Sequence, residues 1–246
     1  MTNHSTMRAV VLEAYDGPFR LATVARPAPA PGQVLVRIAT SGMSPLDTKI
    51  RAGSADHARH PLPAILGIDM AGTVEALGAG VTRFRSGDEV FGMVGGVGGH
   101  QGSLAEYAAA DADLLARKPS HLTMREAGVM PLVFITAWEG LVDRMAVRAG
   151  QSVLVLGGAG GVGRMAIQIA QAHGAEVSAT GSPTDQAAIE QLGARFIDRA
   201  EPVMSFVTRE TVGRGFDLAF DTVGGRVLDD AFVAVRRFGH VASALG

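Results

Sequence analysis

A glycine-rich segment between a strand pattern and a helix pattern constrains the fold of this chain more than any other feature. It follows the apolar run Gln151–Leu156, which is typical of a parallel strand buried on both faces. After the segment, apolar residues recur at helical spacing from Met165 to His173, and Gly174 predicts the helix end. The sequence therefore predicts a strand, a tight turn and a helix.

Three glycines of the segment match the G-x-G-x-x-G pattern: Gly158, Gly160 and Gly163. In this setting the first permits a tight turn, the second lets the backbone approach a pyrophosphate, and the third allows close helix–strand packing. Unpaired N–H groups at the helix N-terminus attract the anion. We predict a dinucleotide site formed by Gly158, Ala159, Gly160, Gly161, Val162 and Gly163. The alternative is a glycine-rich turn that binds no ligand.

Length and composition restrict the class of protein. A chain of 246 residues can form one large domain or two of ordinary size, and its 47% hydrophobic and 19% charged residues are typical of a soluble globular protein. A net charge of −2 gives no electrostatic reason to expect a nucleic acid or an anionic membrane as partner. The absence of cysteine excludes disulfides and thiolate metal sites. We expect a cytoplasmic protein that acts on a small molecule.

Residues 1–120 are predicted to form a β-rich domain. The run Arg26–Gly32 contains three prolines, which lack the donor that a strand ladder needs, so we expect an extended loop there. Short strand candidates separated by turn residues are Met7–Leu12, Arg20–Ala25, Val34–Thr40, Ala71–Leu77 and Leu104–Ala110.

Residues 121–246 are predicted to form a doubly wound parallel sheet. Thr123–Glu126 has the pattern of a capping box, and Pro131 restarts the helix. The predicted apolar face of that helix consists of Leu132, Ile135, Trp138, Leu141, Val142 and Met145. Further strands are predicted at Glu176–Thr180, Arg195–Asp198, Asp217–Thr222 and His240–Leu245, and helices at Pro183–Leu192 and Val227–Val235. This alternation indicates βαβ units and an α/β fold.

Six segments in the same order along the chain carry a resemblance to a known family. They are Met43–Gly53, Gly102–Tyr107, Leu115–Pro119, Thr136–Leu141, the glycine segment and Phe220–Gly225. Together they resemble the zinc-independent quinone oxidoreductases of the medium-chain dehydrogenase/reductase superfamily. The resemblance implies a GroES-like substrate domain followed by a Rossmann domain, with the active site in the cleft between them.

The resemblance also implies further site residues and an activity. It implies cofactor contacts at Thr136, Val223, Leu245 and Gly246, a homodimer, and hydride transfer from NADPH to quinones or to activated alkenes and carbonyls. Enoyl-thioester reduction and a non-catalytic NAD(P)H sensor are the alternatives. Relatives continue past the fifth strand of the Rossmann domain, so we expect this chain to expose that strand as an open edge and to associate or aggregate through it.

The chain departs from the zinc-dependent members of the superfamily. Where those members have metal ligands, this chain has Met43-Ser44-Pro45 and Gly67-Ile68-Asp69, and a lone Asp69 cannot hold zinc without nitrogen or sulfur partners. His57 and His60 form an H-x-x-H pair in a Pro-rich loop that we expect to be exposed. We predict that the protein uses no metal.

Few catalytic side chains are needed when a cofactor supplies the hydride. Ser44 lies where many relatives carry Asn in an Asn-Pro-x-Asp motif, and it is predicted to bind a substrate carbonyl or the nicotinamide amide. The equally weighted alternative is a local turn contact before Pro45. Asp47, the second candidate catalytic residue, is predicted to order this loop rather than to transfer protons. The glycine-rich run Gly95–Gly102 is either a mobile flap or a flexible surface linker.

The choice of cofactor depends on the end of the second Rossmann strand. An acid there binds the ribose 2′-OH of NAD, but this chain has Thr180-Gly181-Ser182. Asp185 is explained as the N3 acid of a capping box that begins at Ser182. Arg199, which follows the third strand, can then supply positive charge for a 2′-phosphate. We therefore predict NADPH, bound in part by Ser182 and Arg199, with NADH as the alternative.

Overall fold

The computed structural model describes residues Ser5–Leu245 and divides into two compact units, one ending at Leu132 and the other beginning at Val133. This division falls after the predicted boundary at residues 120 and 121. The reason is that helix α2 (Met124–Ala127) packs against strands of the first unit, and that the Leu132 N–H donates to the Asp69 carboxylate.

The first unit contains two antiparallel sheets. Its strands are β1 (Thr6–Leu12), β2 (Phe19–Ala25), β3 (Gln33–Ser41), β4 (Ala64–Ile65), β5 (Asp69–Leu77), β6 (Glu89–Met93), β7 (Tyr107–Asp111) and β8 (Leu115–Arg117). The orders are β2-β1-β4 and β7-β3-β5-β6-β8. Helix α1 (Pro45–Arg51) follows β3. The β-rich prediction for this part of the chain is confirmed.

Three strands of the first unit were not predicted: β4, β6 and β8. Two of them span three residues or fewer, and β6 contains Gly92, which lowers strand propensity. Leu104 was predicted to begin a strand but lies outside β7. Its backbone instead bonds to Leu66 and Val10.

The second unit is a five-stranded parallel sheet with helices on both faces. Its strands are β9 (Ser152–Leu156), β10 (Glu176–Gly181), β11 (Arg195–Asp198), β12 (Phe216–Asp221) and β13 (Val235–Ser243), in the order β11-β10-β9-β12-β13. Its helices are α3 (Pro131–Trp138, whose first two residues belong to the first unit), α4 (Gly161–Ala172), α5 (Gln186–Gln191), α6 (Val203–Thr211) and α7 (Arg226–Ala234). The prediction of a doubly wound Rossmann sheet is confirmed.

Strand β9 is buried on both faces, as its apolar sequence predicts. Val153 and Val155 pack in a core cluster with residues of α4, whereas Leu154 and Leu156 pack in a second cluster with residues of α6 and α7. Because side chains alternate along a strand, these two clusters lie on opposite faces of the sheet.

The predicted apolar face around Pro131 is partly wrong. Leu141 and Met145 are buried, but Ile135 and Trp138 are 48% and 38% exposed. After Trp138 the helix continues as a π-helical turn, Glu139–Arg144. The wider turn rotates the later side chains relative to the earlier ones, so a single 3.6-residue face does not run through the segment.

Two further elements differ from the predictions. Helix α6 was not predicted, because its sequence is rich in β-branched residues that favour strands. Strand β13 begins at Val235, directly after α7, rather than at His240. Its pairing with β12 shifts register near Phe238, which has a positive φ of 62°, and this irregularity hides the strand in the sequence.

Within Ser5–Leu245, every helix is too short or too polar to cross a membrane.

Candidate functional site

A cleft of about 310 Å³ opens at the carboxyl ends of the parallel strands of the second unit. It lies where β9 separates β10 from β12, which is where the strand order changes direction and where open α/β sheets bind ligands. The lining residues are Leu156, Gly157, Ala159, Gly160, Thr180, Gly181, Ser182, Asp185, Arg199, Glu201, Val203, Phe206, Thr222, Val223, Val227 and Asp230.

The tight turn of the glycine segment depends on Gly157 rather than on Gly158. Gly157 has a φ of +85°, a conformation that favours glycine, and Gly158 does not. Gly158 is needed for packing instead, since a Cβ there would lie 2.6 Å from the Cβ of Ala179 in β10. The role predicted for Gly158 is therefore corrected.

Gly160 and Gly163 have different surroundings. A Cβ on Gly163 would overlap the carbonyl oxygen of Gly157 and lie 2.9 Å from the Gly158 Cα, so this glycine lets the helix approach the turn closely. A Cβ on Gly160 would meet one neighbouring atom, the Gly157 oxygen, at 3.5 Å. Of the three motif glycines Gly158, Gly160 and Gly163, only Gly160 could carry a Cβ without a protein atom closer than 3.0 Å.

The N-terminus of α4 fits a phosphate. Gly160 is its N-cap and offers no side-chain acceptor to the first-turn N–H groups. The free N–H groups and the helix dipole give this end of α4 a partial positive charge that favours an anion. Ala159 and Gly160 line the cleft, whereas Gly158, Gly161, Val162 and Gly163 do not.

Ser182 and Arg199 are brought together at one end of the cleft. The Ser182 N–H and hydroxyl both donate to Asp185 Oδ2, which is the predicted capping box. The Ser182 hydrogen bonds, first that of its hydroxyl, lower the pKa of Asp185. Arg199 follows β11, its backbone N–H donates to Gly181 O at 2.9 Å, and its charge acts on Asp185 in the same direction.

The turn that carries Val223 is held by a buried carboxylate. Asp221 is fully buried, and it accepts hydrogen bonds from Val223 N at 2.9 Å, Gly224 N at 3.0 Å and Ser243 Oγ at 2.8 Å. Val223 is thereby fixed at the cleft with 49% of its surface exposed. Sequence analysis did not assign Asp221 this role.

The other predicted cofactor residues lie outside the cleft lining. Leu245 lies beside Gly224, whose Cβ would be 3.2 Å from the Leu245 Cβ. Thr136 is half-buried on α3. Gly246 lies outside the described residues. Acidic and apolar lining residues such as Glu201, Phe206 and Asp230 were missed, because nothing in their local sequence indicates that they meet.

Ser44 and Asp47 form a local turn in the first unit. Ser44 is the N-cap of α1, and its hydroxyl and N–H donate to Asp47 Oδ2 at 2.8 and 2.7 Å. The Asp47 N–H lies 3.4 Å from Ser44 Oγ. The structure thus contains the local turn contact that was the alternative for Ser44, and Asp47 orders this turn.

Asp69 is a second buried acid of the first unit, and it was considered in the sequence only as a failed zinc ligand. Its carboxylate oxygens accept the Leu132 N–H at 3.0 and 3.2 Å. Burial raises the pKa of Asp69 to about 7, and the negative charge of Asp47 adds to the rise, although the Leu132 hydrogen bond opposes it.

The H-x-x-H pair is not the exposed pair that was expected. His60 is buried, with Nδ1 3.2 Å from Pro61 O and Nε2 2.9 Å from His100 O, whereas His57 is exposed. Within Ser5–Leu245 no group of three or more His, Asp or Glu side chains is placed to hold a metal ion. Backbone bonds such as Gly96 N to His100 O, at 3.0 Å, order part of the Gly95–Gly102 run, and its role as a flap stays a prediction.

Comparisons with known proteins agree with this architecture. Residues 30–120 match the alcohol dehydrogenase GroES-like domain, and residues 161–244 match the zinc-binding dehydrogenase domain. The quinone oxidoreductase of Homo sapiens is 33% identical over 248 residues, covering 92% of this chain and 74% of that protein. The chloroplastic NADPH-dependent alkenal/one oxidoreductase of Arabidopsis thaliana is 38% identical over 221 residues, covering 87% of this chain. The chain spans about half the length of that relative, 55%.

A solved structure is also similar. An alcohol dehydrogenase superfamily protein from Novosphingobium aromaticivorans has 60% sequence identity and a TM-score of 0.96, and the match covers 97% of this chain and 72% of that one.

Proposed function

The chain belongs to the medium-chain dehydrogenase/reductase superfamily, and we propose that it is a metal-independent oxidoreductase that uses NADPH to reduce quinones or activated alkenes and carbonyls. The observation that carries the proposal is the cleft in which Gly160, Ser182 and Arg199 meet. A cytoplasmic location and a homodimer remain predictions.

The polar parts of the cleft suit the polar parts of a dinucleotide. The uncapped N-terminus of α4 beside Gly160 offers donors to a pyrophosphate. Ser182 and Arg199 offer a hydroxyl and a guanidinium at the end of β10, where an acid would favour NADH. Arg199 suits a 2′-phosphate, because a guanidinium forms charge-assisted hydrogen bonds with phosphate oxygens.

The protein's own residues supply position and an apolar surface. When bound, NADPH supplies the hydride from its nicotinamide ring. Val203, Phe206 and Val227 line the cleft and would give a bound dinucleotide an apolar wall. Asp221 fixes the Val223 turn. For substrate binding we propose Ser44, whose hydroxyl would exchange its bond to Asp47 for one to a substrate carbonyl.

The activity is tested by following nicotinamide absorbance during NADPH oxidation with a quinone panel, an enone panel and an enoyl-thioester panel. We expect oxidation with quinones or enones, and metal chelators should leave the rate unchanged. Oxidation confined to thioesters would favour enoyl-thioester reduction. Tight NADPH binding without oxidation by any panel would favour a non-catalytic sensor.

The choice between NADPH and NADH is tested by Arg199→Ala. A hydrogen bond to a charged group contributes about 1.5–3 kcal/mol, so NADPH affinity should fall by roughly 10- to 150-fold while NADH affinity stays the same. Arg195→Ala is the matched control, because Arg195 lies on β11, the strand that Arg199 follows, pairs with Glu176 and is not part of the cleft lining. Equal losses for both cofactors would remove Arg199 from the phosphate site.

A further inference from the structure

Two buried carboxylates of the first unit, Asp47 and Asp69, lie close to the turn that carries Ser44. Asp47 is 3% exposed and Asp69 is 4% exposed. Asp47 acts electrostatically on Asp69. Two buried acids in one place are costly unless a proton or a positive charge compensates them.

Asp47 has one occupied oxygen and one free oxygen. Its Oδ2 accepts both donors of Ser44, which closes the capping box of α1. Its Oδ1 is buried and has no hydrogen-bond partner among the described residues. The capping box therefore uses one carboxylate oxygen of Asp47 and leaves the other, buried oxygen without a hydrogen bond.

Asp69 lies against the chain that leads into the Ser44 turn. Its carbonyl oxygen accepts Gly42 N at 3.0 Å and Ser103 Oγ at 2.8 Å, and a Cβ on Gly42 would lie 3.0 Å from the Asp69 Cβ. Among residues Ser5–Leu245, its carboxylate accepts only the Leu132 N–H, and Asp47 is the charged group that acts on it.

We propose that Asp69 is a positioning residue for Ser44: a proton on Asp69 keeps Asp47 as the single buried anion, and loss of that proton loosens the Ser44–Asp47 turn by repulsion between two buried charges. This inference rests on the proposed function only in its kinetic consequence. The structural consequence concerns the turn alone.

The turn is tested without any substrate. In the full chain labelled with ¹⁵N, the amide signals of Ser44 and Asp47 are followed by NMR from pH 5 to pH 9. We expect a common transition near pH 7, since burial and Asp47 place the pKa of Asp69 there. Asp69→Asn keeps an acceptor for Leu132 but cannot ionise, so it should abolish the transition. The matched control Asp56→Asn, which alters an exposed acid of the same unit, should retain it.

Asp47→Asn provides a second variant should Asp69→Asn fail to fold. It removes the negative charge that raises the pKa of Asp69, so a transition reported by the Asp69 side-chain carboxyl carbon should move to lower pH. An unmoved transition, or amide shifts at Ser44 that persist in Asp69→Asn, would overturn the proposal.

The kinetic consequence is a pH profile. The fraction of Asp69 that is protonated falls by about tenfold from pH 6 to pH 8, so kcat with the preferred acceptor should fall by about the same factor, while the KM for NADPH stays constant. Asp69→Asn should give a flat profile. If the wild-type protein shows the transition of its amide signals but a flat kcat profile, the positioning role is overturned. A chain that reduces no acceptor would contradict the proposed function, and the NMR titration would then decide the structural part of the proposal.

Discussion

Substitutions at Gly160 and Gly163 should separate cofactor binding from folding within one loop. Gly160 has φ −70° and ψ 166°, which any residue adopts, and its nearest atom to an added Cβ is 3.5 Å away. The Cβ that Gly160→Val adds therefore meets no clash in the free protein. Gly163→Ala forces a methyl group against the backbone of Gly157 and Gly158, which cannot move as a flexible side chain does.

Gly160→Val should change mainly the affinity for NADPH, whereas Gly163→Ala should change mainly the free energy of unfolding. Replacing a glycine of compatible conformation stabilises a fold by about 0.4–1 kcal/mol, because the unfolded chain loses freedom, but valine is a poorer N-cap than glycine, so the free energy of unfolding of Gly160→Val should stay within about 1 kcal/mol of the wild type. Loss of the close approach to a pyrophosphate removes hydrogen bonds of about 1.5–3 kcal/mol, which corresponds to a roughly 10- to 150-fold weaker affinity for NADPH. Gly163→Ala should lose about 1–3 kcal/mol of stability through overpacking.

The assay combines urea unfolding without ligand and calorimetric titration with NADPH on each variant. Each variant serves as the control for the other, since both add carbon to the same glycine loop. Unchanged NADPH affinity in Gly160→Val would show that the pyrophosphate binds elsewhere. Unchanged stability in Gly163→Ala would show that the Gly157 turn relaxes, and that the close approach is not required for the fold.

Three further changes have expected effects on stability. The folded-state pKa of Asp69 is raised from 3.8 to about 7, so between these pH values the folded state binds one proton more than the unfolded state. The free energy of unfolding of the wild type should therefore fall by about 2–3 kcal/mol more than that of Asp69→Asn when the pH rises from 5 to 8. Equal slopes in urea unfolding would contradict this. Thr123→Ala removes the hydroxyl that accepts the Glu126 N–H and should cost about 1 kcal/mol in the same assay, whereas Thr123→Ser should keep most of that stability. Gly140→Ala places a methyl group against the buried ring of Phe220 and should cost about 1–3 kcal/mol, and a neutral result would show that the π-helical turn can shift.

The part of the fold that the sequence predicts well is the part where several local signals agree. At β9 and α4, an apolar run of strand length, a glycine turn and a helical repeat all point to the same element order, and the structure confirms it. Where local signals disagree, prediction fails. Helix α6 buries Val207 and Thr211, which are one helical turn apart, but its β-branched composition favours a strand until the sheet is present for it to pack on.

The candidate site is predictable only for residues that belong to a motif. Ala159, Gly160, Ser182, Arg199 and Val223 line the cleft because each lies in a turn at the end of a parallel strand, and the sequence shows where those strands end. Residues that enter the cleft from helices cannot be predicted from the ends of the strands. Their positions depend on how α6 and α7 pack, which no local pattern specifies.

Asp69 shows why a residue's chemistry needs its surroundings. The sequence shows an acid at the start of an apolar strand. Its resemblance to the metal-ligand segment of zinc-dependent relatives indicates only that Asp69 alone cannot bind a metal ion. Its surroundings, however, include Gly42, which directly follows β3, and its carboxylate accepts the N–H of Leu132, far along the chain. An acid with one N–H donor and another carboxylate nearby must either attract a cation or retain a proton. Since the described residues bring no cation to it, the proton is the compensation that remains, and it gives this strand end a dependence on pH that an acid on the surface would lack.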